Sequence, residues 1–117
     1  MSKIERLQRT PRLSRAVTHN GLVWLSGIVA TDFDEDIAGQ TRQVLARLDE
    51  LLETAGTSKS RLLNVQIWLK DMVGDFAGMN DEWSQWVAPG AEPARATAGV
   101  SFDDENIRIE IVAVAAQ

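Results

Sequence analysis

The sequence contains no cysteine, no tyrosine and only one histidine, and these absences exclude several kinds of site. Without cysteine the chain has no disulfide, no thiolate metal site and no cysteine nucleophile. A lone histidine cannot build a metal site, and His19 precedes an Asn20-Gly21 pair that is typical of a turn. We therefore expect His19 to be an exposed turn residue rather than a ligand or a base.

Positive charge is also scarce, with a net charge of −5 over the chain. A nucleic-acid partner requires a basic surface, so we expect none. The only cationic concentration is N-terminal, and we interpret it as a solvated tail or an edge, with an anion-binding arm as the alternative; it comprises Lys3, Arg6, Arg9, Arg12 and Arg15. No apolar run is long enough to span a bilayer, and no apolar segment follows the N-terminal charges. A cytoplasmic protein without a membrane partner is the expectation.

Apolar residues make up 44% of the 117 residues, which predicts a packed core and a single domain over residues 1–117. Apolar side chains recur every three or four residues over Ile37–Ala55, which predicts a helix that Gly56 ends. A second helix is predicted from an N-cap at Asp75 to about Ala88, with an aromatic stripe that faces the core; the stripe comprises Phe76, Met79, Trp83, Trp86 and Val87.

Along the chain, strands are predicted before the first helix, between the two helices and after the second. The polar segment Met1–Thr10 is frayed or an edge strand, and the Asn20-Gly21 turn leads into Leu22–Ser26. Gly27 either breaks this strand or allows another group to approach the backbone closely. The later strands are Leu63–Leu69, Ala94–Phe102 and Ile107–Ala115. The last two form a hairpin in the simplest interpretation, and a crossover to another sheet position remains open. The predicted order is β-β-(β)-α-β-α-β-β.

The predicted sheet has more apolar surface than two helices can cover. Both helices pack on one face, and the opposite face carries Trp68, Val112 and Val114. An apolar face of this kind usually marks an interface. We therefore expect a closed homo-oligomer whose sheets pack together and whose clefts lie between subunits.

Arg95 and Glu110 are the two residues best suited to chemistry. Arg95 follows a proline within a run of small residues, which leave room for its planar guanidinium to grip a carboxylate. Glu110 interrupts an otherwise apolar strand, where a carboxylate is costly to bury unless it is paired or used. A surface or interface salt bridge is the alternative role for Arg95, and an interface ion pair with Arg108 or another arginine is the alternative for Glu110.

Several segments together resemble the RidA (YjgF) reactive-intermediate deaminase family. They are Ser26-Gly27 at the end of a strand, Phe76–Asn80 in the second helix, Pro93-Ala94-Arg95, and Ile109-Glu110-Ile111. The resemblance spans about Pro11 to Ala115. It implies an α+β, chorismate-mutase-like fold, with a mixed sheet and two helices on one face, and a homotrimer with clefts between subunits. It also implies hydrolysis of 2-imino or enamine acids to 2-oxo acids and ammonia without a metal or another cofactor.

The resemblance assigns Arg95 to the substrate carboxylate and Glu110 to the attacking water. The expected lining of the cleft comprises Ser26, Gly27, Asn80, Ala96, Thr97 and Leu13, with plain structural hydrogen bonding as the alternative for Ser26, Asn80 and Thr97. Leu13 stands where deaminases of the family often carry a tyrosine, and Ile28-Val29-Ala30 replaces the more usual Gln-Ile-Pro. These departures indicate a divergent subgroup. The alternative function is a non-catalytic trimeric protein that binds small carboxylates or a partner enzyme.

Overall fold

The computed structural model describes residues 3–117 as two helices packed on one face of a six-stranded mixed sheet. The strands are β1 (Glu5–Arg9), β2 (Ser14–His19), β3 (Leu22–Leu25), β4 (Leu62–Leu69), β5 (Ala94–Gly99) and β6 (Ile109–Ala116). The helices are α1 (Ile37–Thr54) and α2 (Met72–Trp86), and a single 3₁₀ turn, Lys59–Arg61, precedes β4. The sheet order is β1-β2-β3-β6-β4-β5. The predicted α+β class, with a mixed sheet and both helices on one face, is confirmed.

The N-terminal segment forms an edge strand. β1 pairs only with β2, and the part of the expected Met1–Thr10 segment that precedes Lys3 lies outside the described residues. β2 and β3 are joined by the predicted Asn20-Gly21 turn, in which both residues have a positive φ, 52° and 77°. Those values are the backbone conformation that this residue pair accepts most readily, so the hairpin prediction is confirmed.

Helix α1 follows its sequence pattern closely. The Asp36 side chain accepts a hydrogen bond from the Gly39 amide at 2.9 Å and caps the first turn, as expected for acidic residues at this helix start. The predicted apolar stripe is buried against the sheet; its members include Val44, Leu45, Leu48, Leu51 and Leu52. The helix ends one residue earlier than predicted, at Thr54, and Gly56 then turns the chain with φ 81°.

Helix α2 begins earlier than the sequence indicated, so the prediction of Asp75 as its N-cap is wrong. Asp71 caps the helix by accepting a hydrogen bond from the Gly74 amide at 2.9 Å, so Val73 and Gly74 lie inside the first turn of the helix. Asp75 is instead buried, and its Oδ1 lies 3.4 Å from Arg108 Nη1. Phe76 was predicted to face the core, but it is 39% exposed.

The hairpin predicted for the last two strands is also wrong. β5 pairs with β4 in parallel, β6 pairs with β4 antiparallel, and the two strands therefore flank β4 rather than each other. The alternative, a crossover to another sheet position, is what the structure shows. The segment between them is longer than predicted, because β5 ends at Gly99 and β6 begins at Ile109.

The register of β4 separates the two faces of the sheet. Val65 and Ile67 face the helices and are fully buried, as are their neighbours Ile109 and Ile111 on β6. The side chains that alternate with them form the outer face, which carries Trp24, Trp68, Val112 and Val114 together with Asn64 and Gln66. Trp24 is 50% exposed. The apolar outer face predicted from the sequence is therefore present.

Gln40 in α1 fixes the loops that lead into β6. Its side chain is fully buried, and its Nε2 donates to the carbonyl oxygens of Phe33, Glu35 and Asn106 at 3.1, 3.2 and 2.9 Å. Its Oε1 accepts a hydrogen bond from the Arg108 amide at 3.0 Å. One side chain thus joins the loop before α1 to the segment that ends two residues before Glu110.

Candidate active site

Glu110 lies on the outer face near the start of β6, opposite Trp68 of β4. Its carboxylate fills the space beside Gly27, where a Cβ atom would overlap Glu110 Oε2. Gly27 therefore allows a close approach, which was one of its two predicted roles. Partial burial raises the pKa of the Glu110 carboxyl above its usual value, and the negative charge of Asp103 raises that pKa further.

Arg95 lies on the edge strand β5 and points to the opposite face, because its partner Val65 faces the helices. Its Nη1 is 4.0 Å from Met79 Sδ, and its Cζ is 5.4 Å from the centre of the Trp83 ring. Burial lowers the pKa of the guanidinium from its ordinary value. Arg95 belongs to none of the salt bridges formed within residues 3–117.

Three further expected residues lie near Arg95 in the chain or in the fold. Thr97 follows two positions later on the same face of β5, and its Oγ1 is buried without a hydrogen-bond partner among the described residues. Ala96 lies between them on the outer face and is exposed. Asn80 is half-buried and follows Met79 in α2.

The remaining expected residues lie on the other side of the fold. Ser26 directly follows β3 and precedes Gly27, and its amide donates to the Arg15 carbonyl at 3.0 Å. Leu13 lies in the turn between β1 and β2 and is 48% exposed. The Leu13 carbonyl accepts a hydrogen bond from the Thr10 amide at 2.7 Å, which closes that turn.

Five of the expected residues thus form two separate groups in one protomer, and Ala96, Asn80 and Leu13 belong to neither. The arginine half-site comprises Arg95 and Thr97 on β5, with Met79 and Trp83 beneath Arg95. The glutamate half-site comprises Ser26, Gly27 and Glu110. The backbones at Arg95 and Glu110 are two strands and three residues apart, roughly 14 Å at standard strand spacings. Because the two side chains also point to opposite faces, a single protomer does not bring them together.

Sequence reasoning missed the two contacts of Arg95 that define the arginine half-site. Met79 and Trp83 were assigned to the core alone, although their spacing of four residues places them on one face of α2, where both meet Arg95. Within one protomer Arg108 contacts Asp75 rather than Glu110, and the alternative of an ion pair between subunits stays a prediction. Within residues 3–117 no cluster of three or more acidic or histidine side chains is placed to hold a metal ion. Neither described helix is long and apolar enough to cross a membrane.

The family model described as Endoribonuclease L-PSP matches residues 3–117. A RutC family protein, YoaB, from Escherichia coli is 37% identical over 113 residues, which cover 97% of each chain. A crystal structure of a YjgF family member from Neisseria meningitidis superposes with a TM-score of 0.95 and 42% identity, over 98% of this chain and 95% of that one. The chain belongs to the RidA/YjgF family.

The similarity to the RidA/YjgF family extends over the whole described chain rather than over an isolated motif. A RutC family protein from Haemophilus ducreyi is 38% identical over 97% of this chain. An uncharacterized protein from Pseudomonas aeruginosa superposes with a TM-score of 0.94 and 36% identity over 98% of this chain. The names of these relatives do not agree on one activity.

Proposed function

We propose that this RidA/YjgF protein hydrolyses reactive 2-imino and enamine acids, of the 2-iminopropanoate and 2-iminobutanoate type, to 2-oxo acids and ammonia. The observation that carries the proposal is a pair of complementary groups. Arg95 is a partly buried cation with no carboxylate partner within residues 3–117, and Glu110 is a partly buried carboxylate with a raised pKa. Such a pair matches a substrate that carries a carboxylate and needs proton transfer.

Arg95 binds the substrate carboxylate in this account. Its guanidinium offers two parallel N–H donors to the two carboxylate oxygens, which fixes the orientation of the imine carbon next to the carboxylate. Thr97 Oγ1, which lacks a partner within the described chain, is available as an additional polar contact on the same face of β5. The exposed small residue Ala96 leaves space beside the strand.

Glu110 handles the proton in this account. As the ionised carboxylate it accepts a proton from a water molecule whose oxygen attacks the carbon of the protonated imine, and a neutral carbinolamine forms. The protonated Glu110 then returns that proton to the amine nitrogen, and the C–N bond breaks as ammonia leaves. The Glu110 carboxylate takes the proton of the hydroxyl group, which becomes the carbonyl of the 2-oxo acid, and passes it to the departing ammonia as ammonium. A raised pKa suits this role, because the same group must accept and donate a proton near neutral pH.

The site is proposed to form between two subunits of a homotrimer. Within one protomer Arg95 and Glu110 point to opposite faces of the sheet, so both groups reach one substrate only if they come from different copies. The apolar outer face that carries Trp24, Trp68 and Val112 supplies the surface for that assembly. A small imino acid is the proposed ligand in a cytoplasmic setting, and the acidic chain argues against a nucleic-acid partner.

The proposal is tested by generating imino acids with an amino-acid oxidase and trapping them with semicarbazide. Wild-type protein should compete with the trap and lower semicarbazone formation, because it hydrolyses the imine first. Arg95→Ala should abolish this competition, since the substrate carboxylate loses its partner. Arg42→Ala is the matched control, because it removes an exposed arginine that contacts Glu82 rather than the proposed site.

The same assay separates the proposed activity from the alternative of a non-catalytic binding protein. If wild-type protein causes no acceleration over buffer with any of several imines, the deaminase proposal is wrong. Calorimetric binding of a 2-oxo acid by wild-type protein, lost in Arg95→Ala, would then support a trimeric carboxylate-binding protein. Light scattering on the wild-type protein checks for three subunits.

A further inference from the structure

The arginine half-site holds a positive charge without a countercharge. Arg95 is half-buried, and cations in such positions are normally paired with a carboxylate. The salt bridges within residues 3–117 leave Arg95 out, and its close neighbours are a thioether and an indole. The burial that lowers the pKa of Arg95 is therefore not offset by an acidic group.

The indole of Trp83 takes the place that a carboxylate would usually occupy. The Cζ atom of Arg95 lies 5.4 Å from the centre of the Trp83 ring, within the range of a cation–π interaction. Met79 Sδ lies 4.0 Å from Arg95 Nη1, and both helix residues are buried. A carboxylate would consume the N–H donors of Arg95, whereas a ring face attracts the charge without taking a donor, and the weak contact of Nη1 with Met79 Sδ is the one hydrogen bond that the Arg95 side chain makes within residues 3–117.

The Trp83 ring is itself held by its neighbours. Trp86 packs against it at 5.4 Å between ring centres, with the planes tilted by 47°. Trp86 is anchored in turn, because its Nε1 donates to Asp49 Oδ2 of α1 at 2.8 Å. The ring beneath Arg95 is thus part of the contact between the two helices and has little freedom to move.

We propose that Trp83 is a positioning residue that holds the Arg95 guanidinium ready for an anionic carboxylate ligand. Trp83 does not touch the ligand; it fixes the direction of the guanidinium and lowers the cost of keeping it charged and unpaired. This inference rests on the proposed function, in which Arg95 binds the carboxylate of the substrate. Met79 supports the same guanidinium from the preceding turn of α2.

The experiment measures the dissociation constant of 2-oxobutanoate, the product of one proposed substrate, by calorimetry on full-length variants. Trp83→Leu should raise that constant roughly tenfold, because the cation–π interaction and the preorganisation of Arg95 are both lost. Trp83→Phe keeps an aromatic face and should restore affinity to within roughly threefold of wild type. In the imine assay Trp83→Leu should raise KM more than it lowers kcat, since Glu110 is untouched.

Leu52→Ala is the matched control, because it removes a fully buried side chain of α1 that belongs to neither half-site. It should reduce thermal stability as Trp83→Leu does, yet change the dissociation constant less than roughly threefold. If Trp83→Leu does not fold, Trp83→Met replaces it, since methionine keeps more of the buried volume without a ring. A folded variant without an aromatic ring at position 83 that binds 2-oxobutanoate as wild type does would overturn the proposal.

A second measurement needs no ligand. The side-chain protons of Arg95 in wild-type protein should show upfield ring-current shifts in NMR spectra, and random-coil shifts would overturn the inference even if every variant misfolded. If those shifts are present but wild-type protein neither binds 2-oxobutanoate nor hydrolyses imines, the proposed function fails while the placement of Arg95 over Trp83 stands.

Discussion

Arg95 and Glu110 lie on opposite faces of one sheet, with β4 between the strands that carry them. Each is close to residues that suit it for chemistry, Arg95 to an indole and Glu110 to a glycine that leaves space for its carboxylate. In the proposed mechanism the two groups form one site through contact between copies of the chain.

Replacing Glu110 should separate activity from stability. Burial raises the pKa of Glu110, so the folded protein holds this proton more tightly than the unfolded chain does. Stability of the wild-type protein should therefore fall as the pH rises above the ordinary glutamate value of 4.5 and through the higher folded value. The Glu110→Gln variant lacks the ionisable group and therefore does not undergo this fall in stability. The variant should melt at an equal or higher temperature than wild type at neutral pH while hydrolysing no imine.

Thermal melts between pH 4 and pH 8 check this prediction. The melting temperatures of wild type and Glu110→Gln should converge at the acid end, where the glutamate is protonated in both the folded and unfolded states. If Glu110 were instead a partner in a structural ion pair, Glu110→Gln would melt at a lower temperature than wild type at neutral pH. That outcome would contradict its assignment as the proton carrier.

Gly27→Ala should damage activity far more than folding. The added Cβ would overlap Glu110 Oε2, which is the end of a flexible side chain and can move away. A displacement of about 1 Å at a reacting group lowers the rate by roughly tenfold to a hundredfold, whereas the melting temperature should change by only a few degrees. Imine hydrolysis and calorimetric melting are the two measurements.

A double-mutant cycle makes the Gly27→Ala prediction specific. In the Glu110→Gln background Gly27→Ala should cause little additional loss, because the two changes act on the same carboxylate. Independent, multiplicative losses would show that Gly27 matters for a reason other than space for Glu110.

Gln40→Leu should be strongly destabilising. The fully buried amide satisfies three carbonyl oxygens and the Arg108 amide, and leucine would remove the partner of all four groups. We expect a loss of about 2–4 kcal/mol in the free energy of unfolding, measured by urea denaturation. Gln85→Leu is the control, because Gln85 is exposed and bonds only within α2, and its loss should stay below about 0.5 kcal/mol. Equal losses in both variants would rule out the proposed role of Gln40.

Much of the fold could be predicted from local sequence patterns. The apolar spacing of α1 fits only a helix, and the Asn20-Gly21 pair fits only a tight turn, and both predictions are confirmed. The start of α2 is different, because the sequence offers two candidate N-cap residues. Asp71 and Asp75 are one helical turn apart, each followed three residues later by a glycine, so spacing alone does not distinguish the two caps. Only burial of Asp75 against Arg108 decides between them.

The arrangement of the site could be predicted less completely. Arg95 and Glu110 were identified by type and by neighbours, but alternation along a strand does not show which face of the sheet a strand presents. That depends on β5 lying parallel to β4 at the edge of the sheet, which is a long-range pairing with no local signal. The contact between Arg95 and Trp83 follows from that pairing and was therefore missed.

Subunit complementation tests the shared site most directly. Arg95→Ala and Glu110→Gln are each expected to be inactive alone, and the two proteins are unfolded together, refolded as a mixture and assayed for imine hydrolysis. In a cyclic trimer every mixed assembly contains one site with an intact arginine from one copy and an intact glutamate from the next. Random mixing in equal amounts should therefore restore about a quarter of wild-type activity. A mixture that forms mixed trimers but stays as inactive as its components would contradict the account.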